Sequence, residues 1–161
     1  MAKSGSGKDG KGGNAPVLGN PKARWRYEIL DRLECGIALA GPEVKSMREG
    51  RASIEEAYAR FKGNELWLLG MHVDEYRSSG YTKHEPARAR KLLAHRLELT
   101  KLRIDAERRG LTMVPLRVFW NDRGIAKVEI ALVKGRKLHD KRQVDREKSA
   151  KREVARAMRR R

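Results

Sequence analysis

The positive charge of this chain is concentrated at its two ends, and that segregation limits what can fold. Lys and Arg number 38 against 21 Asp and Glu, a net charge of +17 over 161 residues. Residues 1–26 hold six basic residues and one acid, and residues 134–161 hold thirteen basic residues and four acids. The stretch between them, 27–133, is left with 19 basic residues against 16 acidic ones. Self-repulsion opposes a core at either end, whereas the middle has the charge balance of an ordinary globular domain. The pattern predicts a folded body with two cationic extensions, and a polyanion such as nucleic acid is the partner it points to.

Several classes drop out at this level. No stretch approaches the roughly 18–20 consecutive apolar residues of a membrane span. The N-terminus has no apolar segment ahead of a cleavage site, so secretion is not expected. Cys35 has no second cysteine to pair with, which suits a reducing, cytoplasmic compartment. Residues 1–20, rich in Gly and Lys, should be disordered. Gly5 to Gly10 spell GxGxxG and Gly5 to Lys11 most of a phosphate loop. With no strand before them and no apolar helix after, nothing would aim their backbone N–H groups, and the match is read as chance.

Within the body, Tyr27, Ile29 and Leu33 lie on one period-2 face, and an apolar run from Gly36 to Leu39 follows. Pro42 and Glu43 suit a helix start, predicting a short helix to about Glu49 that Gly50 closes. Residues 53–61 and 65–73 read as strands around the Lys62-Gly63-Asn64 turn, and 74–85 as a loop. Residues 87–109 read as helical, in one or two pieces, ending at Gly110. Val114, Leu116, Val118 and Trp120, then Val128, Ile130 and Leu132, alternate around an Asn121–Gly124 turn. Pro115 cannot donate to a ladder and should mark an edge or a bulge. About six antiparallel strands with helices between them predict a mainly β fold, a small closed barrel with about three helices. In the tail, Ala150, Val154 and Met158 recur at i+4, too thin a stripe to hold a helix unaided. The expected tail is disordered when free and helical on an acidic partner.

Four blocks carry a family resemblance. Tyr27 to Leu30 with Glu34 to Arg48 (ECGIALAGPEVKSMR), Arg88 to Leu99, Thr112 to Trp120, and Lys134 to Arg142 (KGRKLHDKR) resemble, in order and spacing, the small protein B family, the SsrA-binding proteins. The likeness spans roughly residues 20–161. It implies an OB-like antiparallel barrel, 21–133, flanked by the tails 1–20 and 134–161. It implies a non-catalytic, cofactor-free, monomeric factor that binds the tRNA-like domain of transfer-messenger RNA. Such a factor helps deliver that RNA, with elongation factor Tu, to stalled ribosomes for trans-translation. The barrel would lie near the decoding centre of 16S rRNA, and the tail would enter the vacant mRNA channel as a helix.

The resemblance places Glu34, Leu93 and His95 on the RNA-binding surface; Gly36 and the cations Lys45, Arg90, Lys91 and Arg96 complete the expected site. Lys134, Gly135, Lys137, His139, Asp140, Lys141 and Arg142 make up the expected ribosome-binding tail. Ala94, Leu97 and Glu85 depart from the usual family pattern. A carboxylate such as Glu34 can accept from base amino or 2′-hydroxyl groups, and His95 can hydrogen-bond or stack. Without the resemblance, Glu34 reads as an exposed strand carboxylate and Leu93 as core. Trp25, between Arg24 and Arg26, reads either as a base-stacking group or as an anchor where the tail meets the barrel. Two other classes fit parts of the sequence: an integral ribosomal protein, and a nuclease built on His72, Asp74 and Glu75. The nuclease lacks any further acid cluster to complete a metal site.

Overall fold

The computed structural model describes residues 16–76 and 84–136, with positions 147, 149–152, 156 and 158. The strongest alternation in the sequence forms a long hairpin of β8 (Thr112–Trp120) and β9 (Ala126–Gly135). Ahead of it come β1 (Leu18–Gly19), α1 (Pro21–Arg26), β2 (Tyr27–Ile37), α2 (Gly41–Arg48), β3 (Ala52–Ser53), β4 (Tyr58–Lys62), β5 (Glu65–Leu69), β6 (His72–Val73), β7 (Arg90–Leu93) and α3 (Arg96–Arg109). The fold is mainly β with helices. Every pairing in the main sheet is antiparallel, in the order β1-β8-β4-β5-β7-β2-β9. Because β9 also pairs with β8, the six strands β8, β4, β5, β7, β2 and β9 form a cycle of pairings. β3 and β6 make a separate two-stranded ribbon.

Two bulges decide which side chains enter the core. On β8 the register shifts between Pro115 and Arg117, the irregularity that Pro115 foretold. Met113 and Val118 therefore face the main core, whereas Val114 and Leu116 face a second, smaller one. The single apolar face expected for Val114, Leu116, Val118 and Trp120 is thus split in two. On β2 a shift between Ile29 and Asp31 acts alike, turning Tyr27 and Ile29 to the small core and Leu33, Cys35 and Ile37 to the large one. The small core exists because α1 lays Ala23 over the outside of β8 and β9.

α1 is absent from the sequence reading, which places residues up to 20 in a tail. Asn20 is buried: its Oδ1 accepts from the Ala23 N–H at 3.1 Å, and its Nδ2 donates to the carbonyls of Ile54 (3.3 Å) and Pro115 (3.2 Å). An Asn cap followed by Pro at the first helical position is a local start signal. The body accordingly begins no later than β1, and at its other end β9 continues to Gly135. With the helical positions 147, 149–152, 156 and 158, the described residues hold four helical regions, not the three expected.

Residues 90–93, expected to be helical, form β7 instead. Leu and Lys favour helices, but Arg90 and Leu92 are buried while Leu93 is exposed, the alternation of a strand sandwiched between β5 and β2. The helix starts only at Arg96 and ends, as expected, at Gly110 in the left-handed region (φ 59°). The strand expected over 53–61 breaks into β3 and β4, and that over 65–73 into β5 and β6. The second break falls at Gly70, whose φ is 72° and whose missing Cβ would lie 2.8 Å from the Glu56 carbonyl oxygen.

A buried carboxylate is held by two arginines. Glu43 and Arg90 are both fully buried. Arg90 Nε donates to Glu43 Oε1 at 3.0 Å, and its other nitrogens reach the carbonyls of Met71 (2.7 Å), Arg88 (3.0 Å) and Pro86 (3.0 Å). Arg88 Nε donates to Glu43 Oε1 at 2.8 Å and its Nη2 pairs with Oε2, which also accepts from the Ala40 N–H at 2.7 Å. Burial alone would raise the Glu43 pKa, but the Arg88 and Ala40 hydrogen bonds and the charge of Arg90 outweigh it and hold the carboxyl below its ordinary value.

Arg90→Met should cost about 3–5 kcal/mol in urea unfolding at pH 7, because it leaves Glu43 buried with one cation fewer. Since the folded-state pKa of Glu43 is lowered, its contribution is full above the ordinary glutamate range and is lost as pH falls through the folded value. Unfolding midpoints of Glu43→Gln should therefore be lower than wild type at pH 7 and fall less steeply below about pH 4.5.

Candidate nucleic-acid interface

Strand pairing gathers most of the expected RNA-binding residues on one side. Gly36 on β2 pairs with Leu93 on β7, so the outward Leu93 stands beside the glycine, with 3.4 Å between an added Cβ and that of Leu93. Glu34, two residues earlier on the same outer face, is exposed and has Lys127 Nζ at 3.6 Å. Two residues beyond Leu93, His95 caps α3, donating its backbone N–H to Glu98 at 3.2 Å, and Arg96 begins the helix. Both are exposed. Lys91 is paired with Glu65 of β5.

Two cations stand elsewhere. Lys45 is exposed on α2, with its ammonium 5.3 Å from the centre of the Tyr76 ring. Arg90 is a correction: with no accessible surface and its guanidinium engaged by Glu43 and three carbonyls, it has no face to offer RNA. Lys134 and Gly135 are exposed and end β9, opposite Glu28 and Tyr27. Lys137, His139, Asp140, Lys141 and Arg142 lie outside the described residues, as do the glycine motifs of 5–11. Trp25 lines a groove of about 940 Å³ together with Arg117 and with Glu147, Lys151 and Arg152 of the tail, as an anchor at that junction would.

The arrangement suits structured RNA. Glu34 offers an acceptor that can test for amino and hydroxyl donors, while the start of α3 carries the positive end of the helix dipole together with Arg96. Leu93, 52% exposed, is an apolar knob, and Leu97 on the first turn of α3 is 85% exposed. The sequence reading did not single out Lys127, which stands beside Glu34. Its signal was its place between the buried Ala126 and Val128, which turns it outward on the strand beside Glu34.

Most of the chain is similar to known proteins. A family model described as "SmpB protein" matches residues 17–160. The chain belongs to the SmpB family. An SsrA-binding protein of Rhodopirellula baltica is 51% identical over 90% of this chain and 82% of its own length. One of Allorhizobium ampelinum is 48% identical over 90% and 92%. Among solved structures, a chain from "tmRNA-SmpB: a journey to the center of the bacterial ribosome" superposes with a TM-score of 0.65 at 46% identity, covering 77% of this chain and 87% of that one.

SmpB is a family of RNA-binding proteins and not of enzymes, which decides against a nuclease. His72 Nε2 does lie 3.1 Å from Asp74, but among the described residues no three His, Cys, Asp or Glu side chains are grouped to hold a metal. Among them, no helix is long and apolar enough to cross a membrane. Cys35 is buried, and burial, with the charge of Glu98 second, pushes its pKa up to about 12. The native chain should react with a thiol reagent at pH 8 at least about a hundredfold more slowly than the unfolded chain. Comparable rates with and without denaturant would show the thiol to be accessible.

Proposed function

We propose that this chain binds the tRNA-like domain of transfer-messenger RNA and helps bring it to stalled bacterial ribosomes for trans-translation. The observation that carries the reading is the Gly36–Leu93 pairing, which brings the outer face that holds Glu34 beside Leu93, two residues before the exposed His95 and Arg96 at the start of α3. Its support from outside the chain is its likeness to SsrA-binding proteins and to a chain solved under the words tmRNA-SmpB. In this reading the cycle of six strands is a closed OB-like barrel, a form that leaves no exposed strand edge along the cycle.

The division of labour follows from charge. The body supplies shape and a few directional contacts, which read RNA whose bases and 2′-hydroxyls are displayed by its fold. The tail, +9 from residue 134 onward, supplies attraction to rRNA and probes the mRNA channel for vacancy. His139 and the Asp140-Lys141-Arg142 run act at its root. The protein works as a cytoplasmic monomer without cofactor, alongside elongation factor Tu.

Glu34→Ala and His95→Ala should each weaken binding to the isolated tRNA-like domain about tenfold, the scale of one lost charge-assisted contact, without lowering the melting temperature. Unchanged affinity in both would remove the site from this surface. Deleting residues 137–161, which leaves β9 whole, should preserve RNA binding and abolish tagging of stalled chains in a reconstituted translation system. Tagging by the truncated protein would refute the role given to the tail.

A further inference from the structure

The candidate site does not end at Gly36. Gly36 pairs on one side with Leu93 and on the other with Lys127, and Lys127 pairs in turn with Phe119. Leu93, Gly36, Lys127 and Phe119 thus form one row across four strands, about 14 Å long at the usual strand spacing. The neighbouring row is Arg117, Glu129 and Glu34. The inward neighbours Val118, Val128, Cys35 and Leu92 are all buried, so both rows lie on the outer face of the sheet.

That face is unusual in what it leaves out of the core. Phe119 is half-buried and packs into neither hydrophobic core, unlike Trp120 beside it. The Arg117 guanidinium lies over the Phe119 ring, 4.9 Å from its centre, and is held by a 2.7 Å hydrogen bond from its Nε to Glu129. Glu129 in turn accepts from Arg32 at 3.2 Å. The ring and guanidinium form a fixed stack on a strand, with a lysine next to it, and Arg117 also lines the groove shared with Lys151 and Arg152.

We propose that Phe119, Arg117 and Lys127 form a second part of the RNA-contacting face, a stacking platform for an unpaired base with Lys127 reaching the adjoining phosphate. Stacking on an aromatic ring or guanidinium plane is how proteins engage splayed RNA bases, and it tolerates any base because each has a π face. The occupant is RNA because the face is continuous with the Glu34–Leu93 site; the assignment rests on that proposed RNA-binding reading. The platform lies between that site and the tail groove, so one RNA could run from α3 towards the cationic tail.

The test is fluorescence anisotropy of the full chain with two labelled RNAs, the tRNA-like domain of transfer-messenger RNA and a short unstructured oligonucleotide of mixed sequence. Phe119→Ala should weaken binding of the tRNA-like domain about tenfold, and Phe119→Trp should stay within twofold of wild type. Lys127→Met should reduce the slope of log affinity against log salt by about one. If Phe119→Ala does not fold, Phe119→Leu keeps the bulk, removes the ring and carries the same expectation. Binding by the ring-less variant within twofold of wild type, with Glu34→Ala impaired, would end the site at Gly36 and overturn the platform. A Trp variant as weak as the Ala variant would overturn stacking as its mode. Phe119-dependent binding of the oligonucleotide alone would keep the platform and refute the transfer-messenger RNA reading, and binding of neither RNA would overturn both.

Discussion

The buried carboxylate of Glu43 ties the start of α2 to the approach to β7. It closes the start of α2 through the Ala40 N–H, and it fixes Arg88 and Arg90 on the approach to β7. Arg90 then ties that approach to the end of the β5–β6 turn through the Met71 carbonyl. A buried ion pair of this kind adds little net stability over a well-packed apolar substitute, because desolvation offsets much of the attraction. Its consequence is geometric. Period 2 on a strand means that an inward Arg90 turns Lys91 outward, Leu92 inward and Leu93 outward. The exposed leucine of the candidate site is therefore set in place by a charge cluster three residues away, deep in the interior. An apolar residue at 90 could fill the same space without being confined to one register.

Much of the frame is legible in the sequence where local pattern and tertiary demand agree. The β8–β9 hairpin, β2, the Pro115 irregularity, the helix at 41–48 and the Gly110 stop all rest on short-range signals. The failures have separate physical causes. β7 has helix-forming residues and only four positions, too few for alternation to show, and pairing on both sides overrode propensity. The bulges on β2 and β8 each add one residue, which exchanges inside for outside without leaving a mark in the apolar pattern. That exchange opens the second core under α1, and a strict period-2 reading has no place for it.

The site is legible in a different way. Glu34, Leu93 and His95 have ordinary surface or core readings when taken singly, and only the family resemblance singled them out. What joins them is the β2–β7 pairing, a contact between residues more than fifty positions apart that no local pattern reports. Arg90 shows the converse. In a string of alternating cations it looked like one more RNA contact, and only its burial separates it from Lys91 and Arg96.

Charge is placed differently on the body and on the tail. On the outer face Arg32 and Arg117 are both clamped to Glu129, and Lys127 is drawn towards Glu34. Cations engaged in this way contribute little long-range attraction, but they are held in fixed positions, and fixed donors discriminate between shapes better than mobile ones. The terminal cations have the opposite properties: many charges, few neighbouring acids and long reach at low salt. A chain that spread the same seventeen excess charges over its body would attract any RNA with little selectivity. Putting the attraction at the ends leaves the sheet face free to choose.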